Sequence, residues 1–174
     1  MPLLTEEKIT VTNPELKEEL QEKGYGEKTH EEETSDLVLS PEETLYLKEK
    51  RKDFKVKDPE GKNLTKKELK KQFTNRNEEF PRKYAVYRDL RDRGFCVKTG
   101  FKFGSHFRVY KRGDKPGDGH AKWLVHAVPE EYECSFPELS RAVRLSQNVK
   151  KTMMYAIVDK EQDITYYKIK RITP

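Results

Sequence analysis

The chain has 174 residues, which is enough for one domain or two small ones. Charged residues make up 39% of it and apolar residues 33%, so much of the chain must be solvated surface. The net charge of +5 weakly favours a polyanionic partner. No run approaches the roughly 18 apolar residues that a membrane span requires, and the charged N-terminus does not resemble a signal peptide. We therefore expect a soluble, cytoplasmic protein with no membrane partner.

The first eighty residues predict short elements of both kinds. The alternating segment KITVTN, residues 8–13, predicts a strand, and FKVKDPEGK, residues 54–62, predicts a strand that enters a turn. Three helices are each predicted by a capping side chain that is followed by proline or, three residues later, by glutamate. These pairs are Asn13 with Pro14, Ser40 with Pro41, and Thr65 with Glu68. Because the elements are short and charged, we predict a small α+β domain over residues 1–81.

The second half of the chain is richer in strand-like runs. A long helix is predicted from Asn77 or Glu78 to Arg93, with an apolar face formed by Tyr84, Val86, Tyr87 and Leu90. Five strand-like runs follow: FCVK, FRVY, WLVHAV, TMMYAIVD and ITYYKIKRI. A helix capped by Ser135 separates the third run from the fourth. Strands with helices at the start and in the middle predict a mixed α/β domain over residues 82–174.

The loop between FRVY and WLVHAV carries the first candidate functional residues. Tyr110 opens this loop and His120 closes it, and between them lie glycines, a proline, aspartates and basic residues. Lys150 and Lys151 end the last helix, just before the TMMYAIVD run, so strand pairing can bring them beside the strand of Tyr110. A tyrosine, a histidine and a lysine that meet in space could cut RNA without a metal ion.

Metal-free cleavage of RNA requires three chemical functions. A base removes the proton of the 2′-hydroxyl, an acid protonates the departing 5′-oxygen, and a cation stabilises the phosphorane. Histidine suits the acid because its usual pKa is about 6.5. Tyrosine, with a usual pKa of about 10, is only about one-thousandth ionised at pH 7, and a lysine within about 4–6 Å would lower that pKa. The three residue types fit the chemistry, although their spacing alone does not separate them from structural residues.

Each candidate has a structural alternative. Tyr110 could be a ring at the edge of the core, His120 a surface histidine, and the two lysines a complement to the helix dipole. His126 lies within an apolar run and is predicted to be packed. The carboxylates that a metal nuclease would use lie in loops: Asp114, Asp118, Glu130, Glu131 and Glu133. Cys96 and Cys134 have no zinc spacing, so we expect no metal site and no cofactor.

Several segments of the second half, taken in order, match one known family. They are YAVYRDLRDRGFCVKTGFKFGSHFRVYKRG, GHAKWLV, VRLSQNVKKTMMYAIVD and DITYYKIKRITP, and together they extend from Tyr84 to Pro174. This region resembles the archaeal tRNA-splicing endonuclease, and LSPEETLYL and LTKKELKKQF resemble the N-terminal domain of that enzyme. The resemblance implies a nuclease-like mixed α/β fold for a catalytic C-terminal domain. It implies a role in assembly for the N-terminal domain.

The same resemblance implies a catalytic site and a substrate. The family's triad falls on Tyr110, His120 and Lys151, with Lys150 as the alternative lysine. The implied reaction is metal-independent cleavage of precursor tRNA at a bulge–helix–bulge, which leaves a 2′,3′-cyclic phosphate and a 5′-hydroxyl. Arg144 matches an arginine that holds a bulge base from a neighbouring subunit, a role suited to a planar guanidinium. A second cation near the C-terminus is implied, with three candidates: Lys168, Lys170 and Arg171.

Assembly is implied as well. The resemblance to family members of this length implies a homotetramer built as a dimer of dimers. The alternative is a hetero-oligomer with a second, different endonuclease subunit. The run DITYYKI would pair between subunits, and the acidic turn from Asp159 to Asp163 would dock into a positive cleft of another subunit. Two other classes of function are weighed. A non-catalytic structural subunit is disfavoured because all three triad residues are present, and a metal-dependent DNA nuclease would have a similar fold.

Overall fold

The structure is a computed structural model that describes residues 2–4, 8–29 and 36–174. The chain forms two compact units, Met1–Pro81 and Arg82–Pro174. Across the described residues, no helix is long and apolar enough to cross a lipid bilayer.

The N-terminal unit combines a small sheet with three helices. Its elements are β1 (Leu3–Leu4), β2 (Ile9–Val11), α1 (Pro14–Glu22), β3 (Glu27–Lys28), β4 (Leu37–Leu39), α2 (Pro41–Lys50) and α3 (Lys66–Arg76). The sheet has the order β1-β2-β4-β3 with antiparallel neighbours. Apolar side chains from the sheet and from all three helices are fully buried, among them Val11, Leu20, Leu37, Leu45 and Leu69.

The three predicted helix starts form as their sequences indicate. The Asn13 side chain accepts a hydrogen bond from the Leu16 N–H at 2.8 Å. Ser40 and Thr65 each close a capping box, in which the hydroxyl accepts from a backbone N–H and the glutamate three residues later accepts from the cap's own N–H. These local contacts satisfy backbone donors that the first helical turn would leave unpaired.

The strand predicted in FKVKDPEGK is wrong. Of residues 54–57, only Lys57 pairs, through isolated bridges to Leu3 and Asn63. Phe54 and Val56 are buried at 2% and 0% exposure, so the alternating pattern reflects two side chains that enter the core without a regular strand around them.

The C-terminal unit is built on a five-stranded mixed sheet. It begins within α4 (Phe80–Asp92), and its other elements are β5 (Val97–Thr99), β6 (Phe107–Val109), β7 (Trp123–Pro129), α5 (Phe136–Asn148), β8 (Thr152–Val158) and β9 (Ile164–Ile169). The strand order is β5-β6-β7-β8-β9, and only the β7–β8 pair is parallel. The parallel pair follows from the crossover through α5, which returns the chain to the end of the sheet where β7 began.

Helix α4 begins at Phe80, two or three residues later than predicted. Asn77 has an extended backbone (φ −147°, ψ 109°) and caps the end of α3, because its N–H donates to the Phe73 carbonyl. The Asn77 side chain then accepts from the Glu79 N–H at 2.9 Å. The asparagine therefore ends one helix before the next begins.

The two helices of the C-terminal unit pack on opposite faces of the sheet. Tyr87 of α4 contacts Phe107 of β6, with 5.9 Å between the ring centroids. Val143 of α5 packs in a cluster with Leu124 and Met153, which neighbour each other in the β7–β8 register. Since successive strand residues point to opposite faces, a sheet buried on both sides results. The predicted fold class, a small α+β region followed by a mixed-sheet region, is confirmed.

Candidate active site

Strand pairing brings the ends of β6, β7 and β8 together at one end of the sheet. Val109 pairs with Trp123, and Trp123 pairs with Thr152. Beyond these pairs, the Lys122 N–H donates to the Val109 carbonyl at 2.8 Å, and the Thr152 N–H donates to the Lys122 carbonyl at 2.9 Å. Any residue next to these positions therefore lies at the same end of the sheet.

All three predicted catalytic residues lie next to these strand ends. Tyr110 directly follows β6, Lys151 directly precedes β8, and His120 lies shortly before β7. They come from distant parts of the chain, so only the register brings them to one place. The structure thus brings the three together in one region of the molecule.

Tyr110 is held firmly by the sheet. Its N–H donates to the Cys96 carbonyl at 2.9 Å, and its side chain packs in a small cluster with Cys96 and Ala121. Only 6% of the residue is exposed. The tyrosine is therefore part of the packed end of the sheet, although the sequence places it at the start of a glycine-rich loop.

His120 lies at the end of a loop built from two consecutive turns. The Asp114 N–H donates to the Lys111 carbonyl at 3.0 Å, and the Asp118 N–H donates to the Lys115 carbonyl at 3.1 Å. His120 itself is exposed. Of the three residues, the histidine is the one carried by a solvent-exposed loop.

The backbone geometry at the end of α5 gives the two candidate lysines different environments. The Lys150 N–H donates to the Gln147 carbonyl at 2.9 Å, and the Lys151 N–H donates to the Ser146 carbonyl at 2.7 Å. This is the Schellman pattern, in which the residue after the helix cap adopts the left-handed conformation, and Lys150 has φ 56°. Lys150 is exposed, whereas Lys151 is half-buried and directly adjoins β8.

Lys151 is supported by Phe103, a residue that the sequence did not single out. The Lys151 Nζ lies 5.1 Å from the Phe103 ring centroid and 3.4 Å from the Val149 carbonyl oxygen. Phe103 belongs to a tight turn that starts at Gly100, where an added Cβ would lie 2.8 Å from the Phe107 carbonyl carbon. No spacing rule connects Phe103 with Lys151, so only the folded chain reveals this contact.

The predicted RNA-binding cations lie at the surface near this end of the sheet. Lys168 pairs with Met154, and because β9 runs antiparallel to β8, Arg171 lies beyond the end of β9 that adjoins Lys151. Arg144 lies on α5, in the second half of the helix. All three cations are exposed, and the structure alone does not bring them into the cluster of Tyr110, His120 and Lys151.

His126 is packed, as its position in an apolar run indicated. Its ring lies 5.6 Å from the His106 ring and 5.4 Å from the Tyr155 ring, centroid to centroid. Burial lowers the pKa of His126 and raises the pKa of Tyr155 to about 12, because it disfavours the charged form of each. The His106 Nδ1 accepts from the Ala127 N–H at 2.9 Å, and the His106 N–H donates to the Val125 carbonyl at 3.1 Å, which extends the ladder between β6 and β7.

Carboxylates able to share a cation lie at the other end of the sheet. In the part of the chain that the structure describes, one group of three is close enough to hold an ion, Asp159, Glu161 and Asp163 in the turn between β8 and β9. Glu130 and Glu131, which follow β7, face Lys160 of the same turn at 3.7 and 3.4 Å. These groups are separated from Tyr110 and Lys151 by the length of the strands.

Known protein families match both units. The family model described as the tRNA intron endonuclease catalytic C-terminal domain matches residues 80–166, and the model of the N-terminal domain of the same family matches residues 3–70. The order of the two matches defines the class of protein as a two-domain endonuclease.

Similar proteins agree with this class. A tRNA-splicing endonuclease of Thermococcus gammatolerans is 48% identical over 134 residues, which is 76% of each chain. One from Pyrococcus abyssi is 42% identical over 150 residues, 86% of this chain and 82% of that protein. One from Methanococcoides burtonii is 36% identical over 168 residues, 96% of this chain but 47% of that longer protein. The chain belongs to the tRNA intron endonuclease family, as the resemblance predicted.

Proposed function

We propose that the chain is a tRNA-splicing endonuclease that cleaves precursor tRNA at bulge–helix–bulge junctions. Family membership supports the substrate class. The observation that carries the catalytic part of the proposal is the register of β6, β7 and β8, which puts Tyr110, His120 and Lys151 at one end of the sheet. We further propose that the reaction requires no metal ion.

In the proposed mechanism, each residue has one chemical task. The ionised Tyr110 hydroxyl takes the proton of the 2′-hydroxyl, and the 2′-oxygen forms a bond to phosphorus. The bond from phosphorus to the 5′-oxygen then breaks, and His120 gives that oxygen a proton. Lys151 stabilises the negative charge of the phosphorane between these steps. The products are a 2′,3′-cyclic phosphate and a 5′-hydroxyl.

The surroundings of each residue suit these tasks. Lys151 is held in a half-buried position between Phe103 and the end of α5, where its charge interacts more strongly than it would in bulk water. Tyr110 is anchored through the sheet, which fixes the base relative to the cation. His120 is exposed on a loop, so it can approach the leaving oxygen once RNA is bound.

We also propose that RNA is held across subunits of a homotetramer, arranged as a dimer of dimers. Arg144 of one subunit would grip a bulge base at the site of another, with Lys168 or Arg171 as the second cation. The position of β9 at the edge of the sheet supports strand pairing between copies, and the acidic turn at Asp159–Asp163 supports docking into a positive cleft. Light scattering after size exclusion tests this assembly, and a monomer at working salt would contradict it. If the enzyme instead needs a second, different subunit, the purified chain alone should be inactive and should cleave RNA only after that subunit is added.

The first test is cleavage of a bulge–helix–bulge RNA in excess EDTA. We expect cleavage, with cyclic phosphate and 5′-hydroxyl ends, because no step uses a metal ion. A 2′-deoxy nucleotide at the cut site should abolish cleavage, since it removes the attacking oxygen. Cutting of the deoxy RNA, or cutting that depends on added magnesium, would favour a metal-dependent nuclease. Intact RNA under all conditions would favour a structural subunit.

The second test distinguishes the contribution of the His120 side chain to cleavage from that of the rest of its loop. His120→Ala should slow cleavage by roughly 10²–10⁴ while RNA binding persists, because the residue acts on the leaving group. Asp118→Ala changes an exposed residue of the same loop and serves as the matched control. Equal loss of binding and cleavage in His120→Ala would indicate a structural role for the histidine.

A further inference from the structure

A second surface at the catalytic end of the sheet combines aromatic rings with cations. Phe95 and Trp123 meet edge to face, with 5.7 Å between their centroids and 84° between their planes. The Arg112 guanidinium carbon lies 5.0 Å from the Phe95 centroid, and the Lys122 Nζ lies 5.0 Å from the Trp123 centroid. Both rings are half-buried and both cations are exposed. We call these four residues the aromatic platform.

The platform borders an apolar cavity of about 160 Å³. Besides Phe95 and Trp123, the cavity is lined by Leu90 of α4, by Arg93, which follows that helix, and by four residues on the α4 face of the sheet: Val109, Val125, Met154 and Tyr166. Apolar cavities of about 150 Å³ are known to admit a benzene ring. The space beside the platform is therefore large enough for one flat ring.

The charges around the cavity favour an anionic ligand over an apolar peptide. The carboxylate of Asp89, which contacts two of the lining residues, accepts hydrogen bonds from the Tyr166 hydroxyl at 2.7 Å and from the Arg93 Nε at 2.8 Å, so Arg93 compensates its charge. Arg112 and Lys122 add positive charge at the platform itself. Aromatic faces for stacking, with cations for phosphates, are the combination by which proteins bind unpaired nucleotides.

The platform also adjoins the proposed catalytic residues along the backbone. Arg112 follows Tyr110 closely in the chain, and the Lys122 carbonyl accepts from the N–H of Thr152, the residue after Lys151. A nucleotide on the platform would therefore lie at the same end of the sheet as Tyr110 and Lys151, and it would be bound by the same subunit. It would lie on the α4 face, whereas Phe103, which contacts Lys151, packs with Leu124 and Met153 on the α5 face.

We propose that the aromatic platform binds an unpaired RNA base at the end of the sheet that carries the proposed catalytic residues. The base stacks on Trp123 with its edge against Phe95 and enters the cavity, while Arg112 and Lys122 contact the flanking phosphates. The inference rests on the proposed RNA cleavage for the identity of its ligand. It assigns a function to residues of the cleaving subunit, whereas Arg144 is proposed to act on a neighbouring one.

Trp123 provides a direct test because it is the single tryptophan of the chain. We would titrate the full-length protein, in EDTA, with a bulge–helix–bulge RNA that carries 2′-deoxy at the cut nucleotide, so that it binds without being cut. Tryptophan emission is followed beside an independent binding signal from labelled RNA. We expect emission to be quenched in step with binding, and an RNA with abasic bulge nucleotides to bind with little quenching.

Two variants test the cations. Arg112→Gln and Lys122→Gln should each raise the KM for RNA several-fold with little change in kcat, and each should reduce the slope of log affinity against log salt by about 1. Lys71→Gln is the matched control, because Lys71 is an exposed lysine of α3, outside the unit that carries the platform. A loss of kcat at unchanged KM in either variant would contradict a binding role.

The outcomes separate this inference from the proposed function. RNA that binds and is cut to a cyclic phosphate without any change in Trp123 emission overturns the platform and leaves the catalytic proposal standing. Equal quenching by the abasic RNA overturns recognition of a base. Emission that changes with protein concentration alone would identify the surface as a contact between subunits. RNA that does not bind at all overturns both proposals.

Discussion

Lys150 occupies a backbone conformation that lysine rarely adopts, and this permits a sharp test of which lysine is catalytic. With φ 56°, it lies in the left-handed region where glycine is normally found at the end of a helix. The two Schellman hydrogen bonds need only this backbone geometry, because they involve the N–H groups of Lys150 and Lys151. Replacement of Lys150 by glycine should therefore keep both bonds and relieve the strain.

The expected gain in the free energy of unfolding is the difference between one favourable contribution and two unfavourable ones. A left-handed residue with a Cβ costs about 1–2 kcal/mol. Glycine loses about 0.4–1 kcal/mol more backbone entropy on folding. Removal of a cation near the helix C-terminus costs a few tenths of a kcal/mol at low salt, and salt screens that contribution. Lys150→Gly should thus raise the free energy of unfolding by about 0.5–1 kcal/mol in a moderately concentrated salt buffer.

Lys150→Ala is the matched control, because alanine removes the same charge but retains a Cβ. Urea titrations of the three proteins should place the glycine variant above the alanine variant by about 0.5–1 kcal/mol, with unchanged m-values. A glycine variant less stable than the alanine variant would refute the left-handed conformation at Lys150.

The same variants test the assignment of the catalytic lysine. Since Lys150 is exposed and Lys151 is half-buried beside β8, we expect Lys150→Gly to retain cleavage. Lys151→Gln should lower kcat by about 10²–10³, the usual cost of losing one group that stabilises transition-state charge. The reverse pattern, with activity lost only at Lys150, would show that the other lysine serves the site.

Three further variants test interactions within the individual units. Tyr166→Phe removes the 2.7 Å hydrogen bond to Asp89 and should lower the free energy of unfolding by about 1–2 kcal/mol in urea. Because burial and that hydrogen bond raise the pKa of Tyr166 above its usual value of about 10, wild-type stability should fall as the pH rises above 10, and less steeply in this variant. Burial lowers the pKa of His126 below 6.5, so its imidazole binds a proton more readily in the unfolded chain than in the folded one. The free energy of unfolding should therefore decline as the pH falls below 6.5, and His126→Gln should flatten that decline in thermal melts. Thr65→Ala removes the cap of α3 and should cost about 1 kcal/mol, with an unchanged value arguing against the capping box.

Local signals in the sequence predicted the helices well, because a helix start depends on residues a few positions apart. Asn13, Ser40 and Thr65 each cap the helix that they were expected to cap. The short strands β1, β3 and β4 were not predicted, since two or three residues show no period of their own and exist only through their partners. The wrong strand at residues 54–57 has the same origin, because alternation there reports burial without pairing.

The candidate site was predicted less evenly. Its residue types were visible as a chemically consistent set, and the resemblance to a family assigned roles to Tyr110, His120 and Lys151, which stay predictions. The burial of Tyr110 agrees with its structural alternative, a ring at the edge of the core, but its packing against Cys96, the residue before β5, was not predicted. Likewise, Phe103 supports Lys151 only through contacts made after the sheet has formed.

The sheet divides the proposed catalytic groups into a fixed pair and a movable one. Val109 and Thr152, the chain neighbours of Tyr110 and Lys151, are joined by backbone hydrogen bonds through Lys122. The separation of Tyr110 and Lys151 therefore depends on the sheet and not on the loop. His120 is carried by the two turns of that loop, where Gly113 and Gly117 have φ of 86° and 98° and an added Cβ would meet no neighbour. A substitution at either glycine would change the loop's conformation without a steric effect on the sheet. In the proposed mechanism, such a change reaches catalysis only through the proton that His120 delivers, and leaves the base and the cation in position.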